Sequence, residues 1–372
     1  MDSLDIKKAK THTLAKGKVF VGMSGGVDSS VSAALLLEEG YEVVGVFIKV
    51  WQAEFLPCSW REERRDAMRI ASMLGIPLLT LDLEKEYKAG VVDYMIREYG
   101  EGRVPNPDVM CNKYVKFGAF LDFALSHGAD FIATGHYARV EGVEGQHKLL
   151  MGVDKEKDQS YFLWTLTEKE LAHTLFPVGH LEKKDVRALA HKFEFLNADK
   201  KDSQGLCFMG VVDMPEFLKH YLKTSKGDVC DKAGVVIGTH EGAMLYTIGQ
   251  RHGFTTHKRS ANEEPYFVTA KDIEKNTITV SHRDPTTAPV GGTKEDQLNI
   301  THLNLISHDD IYGRDVHARI RYRGKLLPIS VVKMSAHEAR VSLLQNEEGI
   351  AVGQSMVFYR GDECLGGGVI DA

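Results

Sequence analysis

Two cysteines, one aspartate and a serine–glycine loop hold most of the reactive chemistry in this chain. The loop Ser24-Gly25-Gly26-Val27-Asp28-Ser29-Ser30 lies between an apolar run, Lys18 to Gly22, and a helical pattern from Asp28 to Glu39. Such a junction offers an anion unpaired N–H groups and the positive end of a helix dipole. Gly25 and Gly26 let the backbone curl around a phosphate without a Cβ in the way. Ser24, Ser29 and Ser30 add hydroxyl donors, and Asp28 can cap the helix or face a metal ion. No Gly-Lys-Ser/Thr follows, so the loop is not of the Walker type.

The thiols stand in two other segments. Pro105-Asn106-Pro107-Asp108-Val109-Met110-Cys111-Asn112 is stiffened by its prolines and leads into a helix. Cys111 near a helix N-terminus would favour the reactive thiolate. Asp108 stands close enough to carry a proton to or from a substrate. Cys207 lies between Gly205 and Gly210, a setting that suits a thiol that must travel. Cys58, Cys230 and Cys364 read as buried small hydrophobes. An odd, scattered set of cysteines with no Cys-x-x-Cys pair argues against a disulfide framework or a structural zinc site, and no tightly bound metal is expected.

Alternating strands and helices must position these groups. Residues 18 to 134 give strands at Lys18 to Gly22, Val43 to Val50, Leu78 to Leu83 and Phe131 to Thr134. Helical patterns lie between them, at Arg61 to Leu74, at Lys85 to Tyr99, and on a face marked by Tyr114, Phe117, Leu121 and Ala124. This alternation predicts an α/β fold with a parallel sheet, its ligands beyond the carboxyl ends of the strands. Residues 160 to 223 read as mostly helical, with Lys183 to Phe193 and Met214 to Lys223 as helices. Beyond Gly227 short β-rich runs suggest small barrels or sandwiches.

The 372 residues carry a net charge of −6 and a pI near 6.3, so a polyanionic partner needs a local basic surface. His317, Arg319, Arg321 and Arg323 alternate with apolar residues, which would align four cations on one strand face, either as a phosphate-contacting stripe or as a solvated face. Arg251, His252, His257, Lys258 and Arg259 form a second basic cluster, whereas Lys183, Lys184 and Arg187 read as an ordinary solvated helix face. Tyr161-Phe162-Leu163-Trp164 reads as core, and His136 either serves the site or is a satisfied structural donor. No run is apolar enough to span a membrane. The N-terminus has no signal-like segment, so Met1 to Lys16 is expected to be a loose arm on a cytoplasmic protein.

The Ser24–Ser30 loop resembles the S-G-G-x-D-S loop of the ATP pyrophosphatase family, whose members hold pyrophosphate and leave an adenylated substrate. The resemblance sharpens when other segments are added in order: Asn106-Pro107-Asp108 with Cys111, Thr134 to Arg139, Lys157-Asp158-Gln159-Ser160-Tyr161, Asp202-Ser203-Gln204 with Cys207, and Tyr246 to Arg251. Together they are similar to the tRNA-specific 2-thiouridylases, across nearly the whole chain. That resemblance implies a parallel-sheet ATP pyrophosphatase domain over 17–210, then a small central β domain over 211–285 and a C-terminal β-barrel over 286–372. It implies that Gly22, Met23, Ser24, Gly25, Gly26, Val27, Asp28, Ser29, Ile48 and Gly135 contact ATP, used with Mg2+. It implies that Cys207 carries a persulfide sulfur, that Cys111 releases it through a transient disulfide, and that Asp108 is the acid/base. Asn106, Pro107 and Asp108 would face a flipped uracil, and Lys157, Asp158, Gln159, Arg321 and Tyr322 would touch tRNA. A protein persulfide donor is the second implied partner. Two alternatives remain at this point: a ligase of the same loop family that adenylates a small metabolite, and a non-catalytic RNA-binding relative.

Overall fold

β1 (Lys18–Gly22) is apolar and buried at Val19, Phe20 and Val21, as the middle of a central parallel strand covered on both faces must be. In the computed structural model, which describes residues 16–56, 60–143, 145–202, 205, 207–210, 212–257, 264–282, 297–306, 311–312, 315–347 and 350–371, the strand is followed by α1 (Val27–Glu38), β2 (Glu42–Lys49), α2 (Trp60–Leu74) and β3 (Leu78–Asp82). A long helical arm comes next, α3 (Glu84–Tyr87) running through a π-helical stretch, Lys88–Val92, into α4 (Asp93–Gly100). A second arm joins α5 (Pro107–Met110) through π-helical Cys111–Ala119 to α6 (Phe120–Ser126). β4 (Phe131–Ala133), the hairpin β5 (Ala138–Glu141) and β6 (Lys148–Met151), α7 (Glu168–Ala172), β7 (Thr174–Leu175) and α8 (Lys183–Lys192) complete this part.

The parallel sheet has the order β3-β2-β1-β4-β7. Strand order reverses between β1 and β4, so the crevice for a ligand lies at the carboxyl ends of those two strands. The serine–glycine loop leaves β1 there, and Thr134-Gly135 leaves β4 beside it. Val19, Val21 and Phe47 face α1, α2 and α8 on one side, while Phe20, Val46 and Ile48 face the helical arms on the other.

The chain continues through α9 (Met214–Lys219) into a five-stranded sheet of β8 (Gly227–Cys230), β9 (Val236–His240), β10 (Thr255–Thr256), β11 (Tyr266–Asp272) and β12 (Thr277–His282). The last strands are β13 (Gln297–Leu305), β14 (His317–Arg319), β15 (Leu327–Met334), β16 (Ala339–Leu343), β17 (Ser355–Arg360) and β18 (Glu363–Asp371). Pairing of β13 with both β16 and β18 closes these six into an antiparallel barrel, and β6 extends its sheet by pairing with β18. The expected α/β class with a terminal barrel is therefore the architecture found.

Two local readings change. Tyr114 is 44% exposed and Val115 buried, because the π-helical stretch rotates the apolar face away from the 3.6-residue period. Cys230 is half-buried at the end of β8, while Cys364 is buried as expected. Cys58, Ser203, Gln204, Lys258, Arg259 and the arm before residue 16 lie outside the described residues.

Candidate active site

The phosphate loop is shaped by what holds its carbonyls. Asn197 Nδ2 and Lys200 Nζ both donate to the Gly25 carbonyl oxygen, at 3.1 and 3.2 Å, and Lys200 also pairs with Asp66 at 2.9 Å. Gly25 has a φ of +73°, and a Cβ there would lie 2.5 Å from the Glu63 carbonyl oxygen. Gly26 is the N-cap of α1, and no side chain caps the helix, so the first-turn amides face the crevice without an internal acceptor. Gly135 approaches from β4 so closely that a Cβ would lie 2.7 Å from the Ser29 nitrogen. A cradle of backbone amides closed by glycines on both sides fits a polyphosphate, whose oxygens need donors and close approach.

Two loop side chains behave differently from the sequence reading. The Ser30 hydroxyl is spent inside the fold, donating to the Gly26 carbonyl at 2.8 Å and accepting from Asn197. Asp28 does not cap α1. It accepts from the Tyr137 hydroxyl at 2.8 Å and from Lys183 Nζ at 2.7 and 2.9 Å. Met23, Val27 and Ile48 are buried, so only their backbones can meet a nucleotide.

Lys183 is thus not part of a solvated helix face. Its ammonium bridges Asp28 to Asp202 at 2.7 Å, and Asp202 also takes Lys157 at 2.6 Å and Arg187 at 3.2 Å. Burial works against the Asp202 carboxylate, but its bonds to Lys157 and Lys183 outweigh that and bring its pKa down to about 2. Of the three cations assigned to solvent, only Lys184 is freely exposed. The signal for the other two was their i, i+4 spacing at the start of α8, which places both on one face of the helix.

Asp108, Cys111 and Cys207 come together, as expected. Asn106 caps α5, its side chain accepting from the Val109 amide at 3.4 Å, and Pro107 takes the first helical position. Asp108 Oδ1 accepts the Cys207 amide at 2.9 Å, and the Tyr87 hydroxyl donates to the Cys207 carbonyl at 2.8 Å. Phe208, next in the chain, has a φ of +66°, a conformation that costs a bulky residue about 1–3 kcal/mol. The Cys207 backbone is therefore clamped at both of its polar groups.

The two thiols act on each other's acidity, and they diverge. Cys111 is completely buried and stands beyond the first turn of α5, not at its N-terminus. Burial pushes its thiol well up, and the neighbouring Cys207 sulfur adds to the rise. Cys207 moves the other way. The bond from Cys111 lowers it most; burial opposes, and the charge of Lys116 lowers it further. The expectation of a helix-activated thiolate at Cys111 is thus reversed: the acidified thiol is Cys207. Burial also raises Asp108 above the usual carboxylate range, against the pull of the Cys207 amide and Lys116.

Lys116 went unnoticed in the sequence because an α-helical period puts it off the face of Cys111. The i→i+5 bonding of the π-helical stretch sets residues five apart over one another. Lys116 Nζ also lies 3.5 Å from His136 Nε2, whose other ring nitrogen is 2.7 Å from Thr134 Oγ1. An ammonium has no acceptor, so His136 must accept at Nε2 and carry its proton on Nδ1 toward Thr134. Burial, then Lys116, holds His136 well below its usual range, and it stays neutral.

The candidate RNA contacts divide. Lys157 is held by Asp202, and Gln159 accepts the Tyr137 amide at 3.0 Å. Asp158 is only 2% exposed, and its carboxylate accepts from Gly152, from Ser160 and from Arg319 at 2.6 Å. It is an internal group and not a surface contact. The basic stripe fails at the same point, since Arg319 lies on the outer face of β14 but is covered by the 152–160 segment. β14 ends there, and Arg321 belongs to a turn closed by a Gly324-to-Arg321 hydrogen bond. Arg321 is half exposed and pairs with Glu347. Tyr322 packs on Phe162 at 4.5 Å between ring centres, and the Phe162 carbonyl accepts from Asn112 beside Cys111. Tyr161, Leu163 and Trp164 are buried, as core.

The chain is similar to known proteins along most of its length. A family model described as tRNA methyl transferase HUP domain matches residues 17–211, a tRNA methyl transferase PRC-barrel domain matches 215–282, and an aminomethyltransferase beta-barrel domain matches 295–370. The chain is 43% identical over 362 residues to the tRNA-specific 2-thiouridylase MnmA of Geobacillus thermodenitrificans, covering 95% of this chain and 94% of that protein. It is also 43% identical over 360 residues to the MnmA of Bacillus subtilis, covering 95% of each, and 43% identical over 367 residues to that of Enterococcus faecalis, covering 96% of each.

Proposed function

Since the chain belongs to the tRNA-specific 2-thiouridylase family, we propose how its residues divide the reaction. It is a sulfurtransferase that uses ATP to thiolate tRNA. In our reading the target is the C2 oxygen of the wobble uridine, drawn out of the anticodon stack at a cost of ~ a few kcal/mol. That oxygen attacks the α-phosphorus of ATP, the bond to pyrophosphate breaks, and the base becomes an O-adenylate. The amides from Gly22 to Ser29, with Gly135 opposite, hold the departing pyrophosphate, and Ile48 lies beside the nucleotide. Asp28 is already held by Lys183 and Tyr137, so Mg2+ would enter with the nucleotide and would supply charge neutralisation for the leaving pyrophosphate.

The terminal sulfur of a Cys207 persulfide then bonds to C2, and AMP leaves. The Cys111 Sγ attacks the Cys207 Sγ as its own proton passes to the departing thio-base. The sulfur–sulfur bond breaks, its electron pair stays with the sulfur on C2, and a Cys111–Cys207 disulfide forms. A thiol reductant restores the pair, and a protein that carries a persulfide reloads Cys207. Asp108 takes the N3 proton of the uracil as O2 becomes nucleophilic, a task helped by its raised pKa. Asn106 and Pro107 frame the base, while Lys157, Gln159, Arg321 and Tyr322 contact the tRNA. The carrying observation is the meeting of Asp108, Cys111 and Cys207 at one point.

The matched ranges support the division at 210/211 and 285/286. Among the described residues no helix is long and apolar enough to cross a membrane, and the described cysteines are free thiols, which suits a reducing cytoplasm.

The test is to incubate the full chain with ATP, unmodified tRNA and a persulfide donor, then quantify 2-thiouridine and AMP. We expect one AMP per thiolated base and loss of 2-thiouridine in Cys207→Ala and Cys111→Ala. Full activity in either variant would sink the two-thiol mechanism. AMP formed from a small amine without RNA would favour a metabolite ligase instead.

A further inference from the structure

The mechanism above leaves one partly buried charge, Lys116, unused. Lys116 Nζ stands over the ring of Phe208, next in the chain to Cys207, at 5.5 Å, and its charge and the sulfurs of Cys207 and Cys111 act on one another. Its hydrogen-bond partner among the described residues is His136, neutral and accepting at 3.5 Å. No carboxylate hydrogen-bonds Lys116 among the described residues; Asp108 faces it only at longer range, with Oδ1 taken by the Cys207 amide. An ammonium removed from water is costly unless an anion or strong acceptors compensate it. The neighbouring group that can become that anion is the Cys207 sulfur.

We propose that Lys116 is the cation that holds the Cys207 sulfur as an anion, and that it thereby makes Cys207, not Cys111, the sulfur carrier. The inference rests on the sulfur-transfer reading. A thiolate is needed to receive a sulfur, and a persulfide anion is needed to deliver it to C2. Lys116 serves both states without changing its own charge. Burial works against its ammonium, but the sulfurs of Cys207 and Cys111 outweigh that and raise its pKa. Lys116 acts on Cys111 too, but complete burial and the neighbouring Cys207 sulfur outweigh it, so Cys111 rests as a thiol that donates to Cys207. The groups that face Cys207 are Cys111, Lys116 and Asp108 from the second helical arm, and the Tyr87 hydroxyl from the first, with His136 behind Lys116.

The test reads the alkylation rate of Cys207 by iodoacetamide against pH, followed by peptide mass spectrometry on the full chain without tRNA or ATP. We expect a midpoint below the ordinary thiol value of about 8.5. Lys116→Met should move it up by at least about one pH unit, a tenfold loss of thiolate at neutral pH, while Lys116→Arg keeps most of the effect. Coincident profiles for the parent and a folded Lys116→Met overturn the proposal, and so does an ordinary midpoint in the parent. Should Lys116→Met not fold, Cys111→Ala decides. A Cys207 midpoint still below the ordinary value with that donor removed supports the cation, and a return to the ordinary value overturns it. The readout needs neither substrate, so its failure is separate from failure of the 2-thiouridine assay.

Discussion

The amide of Cys207 donates to Asp108 Oδ1 across 2.9 Å, and this bond joins two residues 99 positions apart in the chain. It ties the sulfur-bearing segment to the helix that carries Cys111 and Lys116. It also spends one carboxyl oxygen of the group expected to move a proton. Geometry and acidity at this site are therefore coupled.

Asp108→Asn separates the two. Asparagine keeps an oxygen to accept the Cys207 amide but cannot ionise. Burial raises the Asp108 pKa in the fold, so its protonated form stabilises the fold below the unfolded value of about 3.9, and that contribution is lost as pH rises through the folded value. At pH 7 the variant should melt no lower than the parent, with a flatter dependence of Tm on pH above 4. Thiolation should fall by about 10²–10⁴-fold. A drop in Tm together with intact thiolation would reverse both assignments.

Lys183→Met tests the other half of the site. It would strip Asp28 of its cation while leaving the Tyr137 hydroxyl in place. Charge-assisted bonds of this kind contribute about 1.5–3 kcal/mol, so tRNA-dependent pyrophosphate release should fall roughly 10- to 100-fold at limiting ATP. Combined with Asp28→Asn, the loss should be much less than the product of the two single losses. Additive losses would mean that the two residues act separately.

Asp202 links this ion network to the segment that bears Cys207. Its pKa is depressed to about 2, so it stabilises the fold above the unfolded value of about 3.9, and that contribution is lost as pH falls toward about 2. Asp202→Asn should reproduce at neutral pH the loosening that acid produces in the parent. Limited proteolysis near residues 200–210 should quicken several-fold in the variant at pH 7, and little further on acidification. Equal cleavage rates in the two proteins would show that the ion pairs do not restrain the segment.

The sheet, its helices and the glycine loop were legible because each follows a local rule of period, cap or turn, whereas the pairing of the two thiols was implied by the family resemblance. What was not legible depends on contacts made only after folding. Lys183 and Arg187 have the composition of a solvent face, and only the docking of α8 beside the loop gives them Asp28 and Asp202 as partners. The acidity of Cys111 was inverted because sequence distance from a proline-rich cap said nothing about complete burial. Lys116 was hidden by the π-helical stretch, which no 3.6-residue pattern reveals. The alternation around Arg319 correctly placed apolar residues inside the barrel, but it could not show that another segment covers the outside.

Arg319 and Arg321, alike in sequence, should fail in opposite ways. Arg319 pairs with a fully buried Asp158, and removing one partner of such a pair costs about 3–5 kcal/mol because the other charge is left uncompensated. Arg319→Met should therefore lower Tm by many degrees, and any tRNA binding it loses should return as the temperature falls below the new transition. Arg321 is half exposed, and Arg321→Ala should leave the stability within about 0.5 kcal/mol of the parent's. Its tRNA affinity should weaken, and the slope of log affinity against log salt should fall by about one phosphate contact. Measured together by thermal melts and salt-titrated tRNA binding, the pair separates a joint between domains from a contact with RNA. An unchanged salt slope for Arg321→Ala would remove Arg321 from the tRNA surface.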